Sequence, residues 1–230
     1  MLGSLLGSAV NAGAIVLATL IGIVLKKGIK ESLSDLLMKA LGLCTLYIGI
    51  TGALKGQNTL VLILSMIVGC LIGEVLKLEE RINSLGKWLE SKLVKNTSNS
   101  TFGQGFVTAT LMFCVGAMAI VGSLESGLNG NHEILYNKAI LDFVLAVMFA
   151  ATYGIGVAFS AISVFIYQGL ITLFAVWLAP YLSDGTVAEM TCVGSVILIG
   201  LALNMVGIGK FKVMNYVPAI FLPILFCLIL

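Results

Sequence analysis

Asn11, Glu125, Asp142, Ser160, Ser163, Gln168 and Asn204 stand inside or at the edge of long apolar runs. Polar groups in such surroundings cost several kcal/mol unless paired, hydrogen-bonded or wetted. Residues of these types therefore mark where an ion, a proton or a small solute would be handled. Asp142 follows Lys138 by four residues, which puts both on one helix face. It reads either as the partner of that lysine or as a carboxylate that binds an ion or proton along a path. Glu125, in GSLESG, reads as a solvated loop carboxylate or as the end of a broken helix. Glu74 reads as one half of an interfacial ion pair with Lys77 or Lys26. Asn11, Gln168 and Asn204 either join helices by amide hydrogen bonds or line a path. Ser160, Ser163 and Tyr167 share one helix face, where the serines bond back to their own helix or face that same path.

Gly116, Gly122, Gly127, Gly154 and Gly156 interrupt the same apolar runs. Two readings stand for them: hinges that expose backbone groups to water, ions or substrate, or small residues that let helices pack closely. Other chemistry has little to work with. His132 is the single histidine, and Cys44, Cys70, Cys114, Cys192 and Cys227 contain no CxxC pair, so no metal site or disulfide framework is expected. No phosphate-binding loop, dinucleotide fingerprint or nucleophile elbow is present. Neither a cofactor nor an enzymatic activity is expected.

The elements that must position these residues follow from composition. With 59% apolar and 10% charged residues and a mean hydropathy of +1.10, the chain reads as an all-α polytopic membrane bundle. A span needs roughly 20 residues, so 230 residues hold about eight spans in a single integral membrane domain, 1–230. The expected spans are 4–25, 41–55, 59–77, 103–124, 136–154, 158–180, 187–207 and 214–230. Two short amphipathic helices, 31–40 and 78–93, lie at the interface, and 94–101 is a polar linker. Glycine-rich spans four to six are expected to be broken or re-entrant.

Basic residues gather in 26–40, 77–95 and 208–213. The positive-inside rule makes these the cytoplasmic connections and puts both termini outside. The net charge of +2 forms no patch for nucleic acid; the expected partners are the lipid bilayer, a small solute or ion, and further copies of the chain. Sliding the sequence by 152 residues sets 41–56 over 193–208, which would make 1–93 and 158–230 inverted repeats around a central 103–157 segment. Gly3 and Gly7, and Gly200 and Gly207, offer smooth strips for a homo-oligomer.

FCVGAMAIVGSLESGLNG (113–130), YNKAILDFVLAVMFAATYGIGVAFSAISVFIYQG (136–169) and AEMTCVGSVILIGLALNMVGI (188–208) carry a family resemblance. With VNAGAIVLATLIGIVLKKGI (10–29) and LIGEVLKLEERINSLGKWLE (71–90), the chain resembles the YdfK/YqgA family of prokaryotic multispanning membrane proteins of uncharacterised function. The resemblance covers nearly the whole chain and implies a bacterial inner membrane location. The residues themselves favour a small secondary transporter or channel-like permease. The alternative is a non-transporting scaffold or sensor that binds a partner or lipid through its amphipathic helices.

Overall fold

A computed structural model describes residues 3–26, 31–93 and 101–229. Lys27, Lys30 and most of the expected linker, 94–100, lie outside it. Helices follow one another in the order α1 (Leu6–Lys26), α2 (Glu31–Ala53), α3 (Thr59–Val75), α4 (Leu78–Leu93), α5 (Phe102–Cys114), α6 (Ala117–Leu128), α7 (Glu133–Tyr153), α8 (Gly156–Leu173), α9 (Ala175–Leu178) and α10 (Asp184–Met205). A 3-10 helix, Val213–Phe221, and α11 (Pro223–Phe226) complete the described chain. Among the described residues, five helices are long and apolar enough to cross a membrane, and seven if the bent pairs α3–α4 and α5–α6 each count as one.

Several expectations are corrected. The 31–40 segment is no separate surface helix, because nothing between Ala40 and Leu41 breaks the backbone pattern and α2 runs unbroken from Glu31. Its amphipathic stretch leads into, and from Asp35 forms part of, a candidate span of 19 residues, Asp35–Ala53. Span four is broken, as its glycines led us to expect, at Val115 and Gly116, where the chain bends by 62°. Expected span six ends at Leu173, and α9 follows as a separate short turn. The last apolar segment is largely a 3-10 helix with Pro218 inside it and Pro223 next to it. Two residues without an N–H there cannot support a regular α ladder. The 78–93 helix is present as α4, set off from α3 by a 51° bend at which Lys77 takes φ 50°.

Contacts fix the relative directions of the helices. Gly42 faces Met205, and Gly52 faces Ser195, so α2 and α10 run antiparallel. Gly69 abuts the Ala219 backbone and Gly73 the Asn215 carbonyl, which makes α3 antiparallel to the 3-10 helix. Both contacts leave no space for a Cβ. Gly7 meets Leu135 and Gly22 meets the Val147 carbonyl, so α1 and α7 are parallel. Phe102 lies on Gly156 at one end of α8, and Gly127 lies on Thr172 at the other. Those positions are 16 residues apart, about 24 Å along a helix. Thus α5 and α6 together traverse the bundle beside α8 rather than returning to the side they came from. At the centre lies α10, with 72% of its most apolar stretch buried against 33% for that of α1.

Local signals explain the ends. Asn58 caps α3 by accepting from the N–H groups of Leu60 (3.0 Å) and Val61 (3.4 Å), and Ser183 caps α10 by accepting from Thr186 N–H. Gly154, at φ 81°, closes α7 before α8 begins. Glu74, for which the sequence suggested Lys77 or Lys26, hydrogen-bonds to Lys212 (3.1 Å) and Asn215 (2.6 Å); Lys77 acts on it only through its charge, and the Lys26 side chain lies outside the described residues. That carboxylate hydrogen-bonds to the Lys212 ammonium and holds it above the ordinary lysine range. Asn215 Oδ1 also accepts from Glu79 N–H at 2.8 Å, tying the α3–α4 bend to the 3-10 helix.

Candidate functional site

The α7 helix carries Lys138 and Asp142 one turn apart, and both are buried, each 5% exposed. Their side chains form an ion pair. Removing two charges from water is costly enough that each needs the other. From α1, Asn11 donates its Nδ2 to Asp142 Oδ2 at 3.0 Å and reaches Gln168 Oε1 of α8 at 3.4 Å. The Phe113 ring lies 6.0 Å from Lys138 Nζ, within range of a cation–π contact. Four helices thus converge on one charged centre. Asn11 Oδ1, Gln168 Nε2 and Ser8 Oγ are nevertheless left without partners although all three residues are fully buried. Each such group costs about 1–3 kcal/mol, a cost that water or a bound species would relieve.

Beside this centre lies a cavity of about 260 Å³, lined among others by Lys55, Gly116, Lys138, Asp142, Thr191 and Ser195. Gly116 is where the α5–α6 break meets it. Its φ of 121° and ψ of 150° suit glycine alone, and no atom stands within 4 Å of where its Cβ would be. No side chain caps the first turn of α6 there. A second cavity of about 190 Å³ is lined by Glu79, Asn83, Gln104, Thr108, Tyr153 and Asn204 among others.

The two cavities are stacked along the same helices. On α5, Thr108 lines the second and Met112 the first; on α10, Leu201 lines the second and Leu198 the first. Three or four residues separate them on each helix, about one turn, or 5–6 Å. Buried Met112 and Leu198, which line the first cavity, and Leu201, which lines the second, form the apolar layer between.

Of the polar residues singled out from sequence, Asn11, Asp142 and Gln168 come together, and Asn204 does not join them. Its amide holds Phe211 N–H and C=O, both at 2.8 Å, and borders the second cavity. Glu125 accepts from Asn129 at the end of α6 and lines neither cavity. Ser160 bonds back to the Val157 carbonyl at 2.6 Å. Ser163 is half-buried on α8, also away from both cavities.

Only two of the five glycines sit at breaks with positive φ, Gly116 and Gly154. The others are packing positions: Gly122 lies against Leu135, Gly127 against the Thr172 carbonyl and Gly156 against the Phe102 carbonyl. Lys55, Thr191 and Ser195 were missed. Their signal was the four-residue spacing of Thr191 and Ser195 on one face of α10.

The family described as "Protein of unknown function (DUF554)" matches residues 6–228. The chain is 33% identical over 221 residues to the uncharacterized membrane protein YdfK of Bacillus subtilis (strain 168), covering 94% of this chain and 93% of that protein. It is 30% identical over 220 residues to the uncharacterized protein YqgA of Escherichia coli (strain K12), covering 94% of each. No solved structure matches it.

Proposed function

The chain belongs to the DUF554 family of unknown function, and from that premise and its multi-pass helical fold we propose a secondary transporter or channel-like permease for a small solute or ion. The observation that carries this reading is the pair of stacked cavities divided by one helical turn of α5 and α10. A thin septum between two cavities, each largely apolar with a few polar groups in its wall, is what a path needs if its two halves are to be opened in turn. The buried Lys138–Asp142 pair stands at one half, and the glycine break of α6 adjoins it. Volumes of about 260 and 190 Å³ fall below the usual 300–1,000 Å³ of drug-sized ligand sites and suit an ion or a small solute.

Orientation and symmetry belong to the same proposal. Lys39, Lys77, Arg81, Lys210 and Lys212 lie towards the end of the bundle that holds the second cavity, so this end faces the cytoplasm of a bacterial inner membrane and both termini face outward. The 152-residue offset sets α1 over α8, α2 over α10 and α3 over the 3-10 segment. Each of these pairs is antiparallel and in contact, as Gly169 on Leu5, Gly52 on Ser195 and Gly73 on Asn215 illustrate, which supports an inverted repeat. The scaffold alternative loses one of its two amphipathic segments, since 31–40 is part of α2.

Cysteine accessibility tests the reading. In a chain freed of its five native cysteines, Thr108→Cys should react with an impermeant thiol reagent only from the cytoplasmic face and Ser195→Cys only from the other. Labelling of both from one face would overturn the stacked-path arrangement.

A further inference from the structure

The first cavity has a charge balance that restricts what can enter it. Lys138 and Asp142 stand in its wall, and the exposed Lys55 lies at its rim. The groups around the carboxylate are few. From α1 comes the amide of Asn11 and from α8 that of Gln168. The α10 helix supplies the hydroxyls of Thr191 and Ser195, and α2 adds Thr51 besides Lys55. From α5, the Cys114 thiol lies within electrostatic reach of both members of the pair. Gly116, Ala117, Met118 and Ala119 bring no titratable side chain, only the uncapped first-turn N–H groups of α6, which favour negative charge.

A bare anion entering here would find the Lys138 ammonium already taken by a carboxylate, and a bare cation would meet the ammonium itself. Lys55 is exposed to solvent at the rim, where its charge is screened, so at the buried pair itself either leaves uncompensated charge. A proton and an anion arriving together do not. Resting on the transporter reading above, we infer that this cavity binds one small monovalent anion together with one proton, the anion on the Lys138 ammonium and the proton on the Asp142 carboxylate.

The Lys138–Asp142 bond opens as the proton and anion are taken up. Asn11 Nδ2 keeps its hydrogen bond to Asp142, and the unpartnered Asn11 Oδ1 offers an acceptor for the new carboxyl O–H. The Lys138–Asp142 pair is neutral both when empty and when it holds the proton and the anion. The cycle therefore moves a proton and an anion in the same direction with no net charge.

Full-length protein in liposomes with a luminal pH dye tests this, with nitrate as the probe because it does not cross lipid as a neutral acid. An inward nitrate gradient should acidify the lumen, at a rate unchanged by a valinomycin–potassium clamp of either polarity. At nitrate well below saturation the rate should rise about tenfold per unit fall in pH while Asp142 is mostly ionised, the signature of one linked proton. Asp142→Asn should bind nitrate equally at pH 6 and pH 8 and move no protons. The neutral double variant Lys138→Met, Asp142→Asn should bind none. Nitrate flux without protons, or flux selective for sodium or potassium, overturns this inference while leaving a transporter. A folded wild-type protein that carries nitrate, chloride, formate, sodium and potassium no faster than empty liposomes overturns the transporter reading as well.

Discussion

Asp142 and Lys138 are each tolerable in the bundle because of the other. Asp142→Ala is expected to cost about 3–5 kcal/mol, the usual penalty for leaving one member of a buried pair alone. The neutral double variant should recover much of it, and thermal unfolding in detergent compares the three proteins. Glu189 works differently, since its Oε1 accepts from the N–H groups of Gln57 (2.6 Å) and Asn58 (2.8 Å) and so holds the turn that starts α3. Glu189→Ala should destabilise by about 1.5–3 kcal/mol, as loss of a hydrogen-bonded charged acceptor does. The ion pair was legible from its four-residue spacing. The meeting of Asn11 with Asp142 and Gln168 was not, because 131 and 157 residues separate them and no periodicity encodes that. The role of Glu189 had no sequence signal, because its partners are backbone groups, which leave no pattern in a sequence.

At the scale of elements, Gly116→Ala should cost about 1–3 kcal/mol despite the open space around it, because the strain is in the backbone. Gly73→Ala fails for the opposite reason: its φ is ordinary, but the added Cβ would overlap the Asn215 carbonyl. Overpacking of this kind costs about 1–3 kcal/mol, and limited proteolysis should show the 3-10 helix detaching from α3 before the rest unfolds. The breaks at Gly116 and Gly154 could be placed near the right residues, since the apolar runs were too long or too rich in glycine for one straight helix. Which glycines bend and which pack depends on what faces them. The extent of α2 was misread because an amphipathic stretch leading directly into a span has the same pattern as a separate surface helix.

At the scale of the whole molecule, homo-oligomer assembly stands as our proposal, but Gly7 cannot supply its surface. That residue lies against Leu135 inside the chain, so Gly7→Leu should lower the unfolding temperature rather than shift a monomer–oligomer equilibrium. Gly200 likewise faces Phe211 at 3.6 Å. Native mass spectrometry from mild detergent tests the assembly, and a single mass of one chain at every concentration would end it.

The antiparallel pairing of α3 with the 3-10 helix also bears on how the protein is made. Gly69 and Gly73 lie against Ala219 and Asn215, which leave the ribosome about 140 residues later. Until then the glycine strip of α3 has no neighbour to close against it, and the same holds for the face of α2 that α10 will cover. We therefore expect the nascent protein to hold these faces of α2 and α3 uncovered until α10 and the 3-10 helix have been made. A chain stopped before residue 213 would stay in that state and present quality-control proteases with an exposed seam.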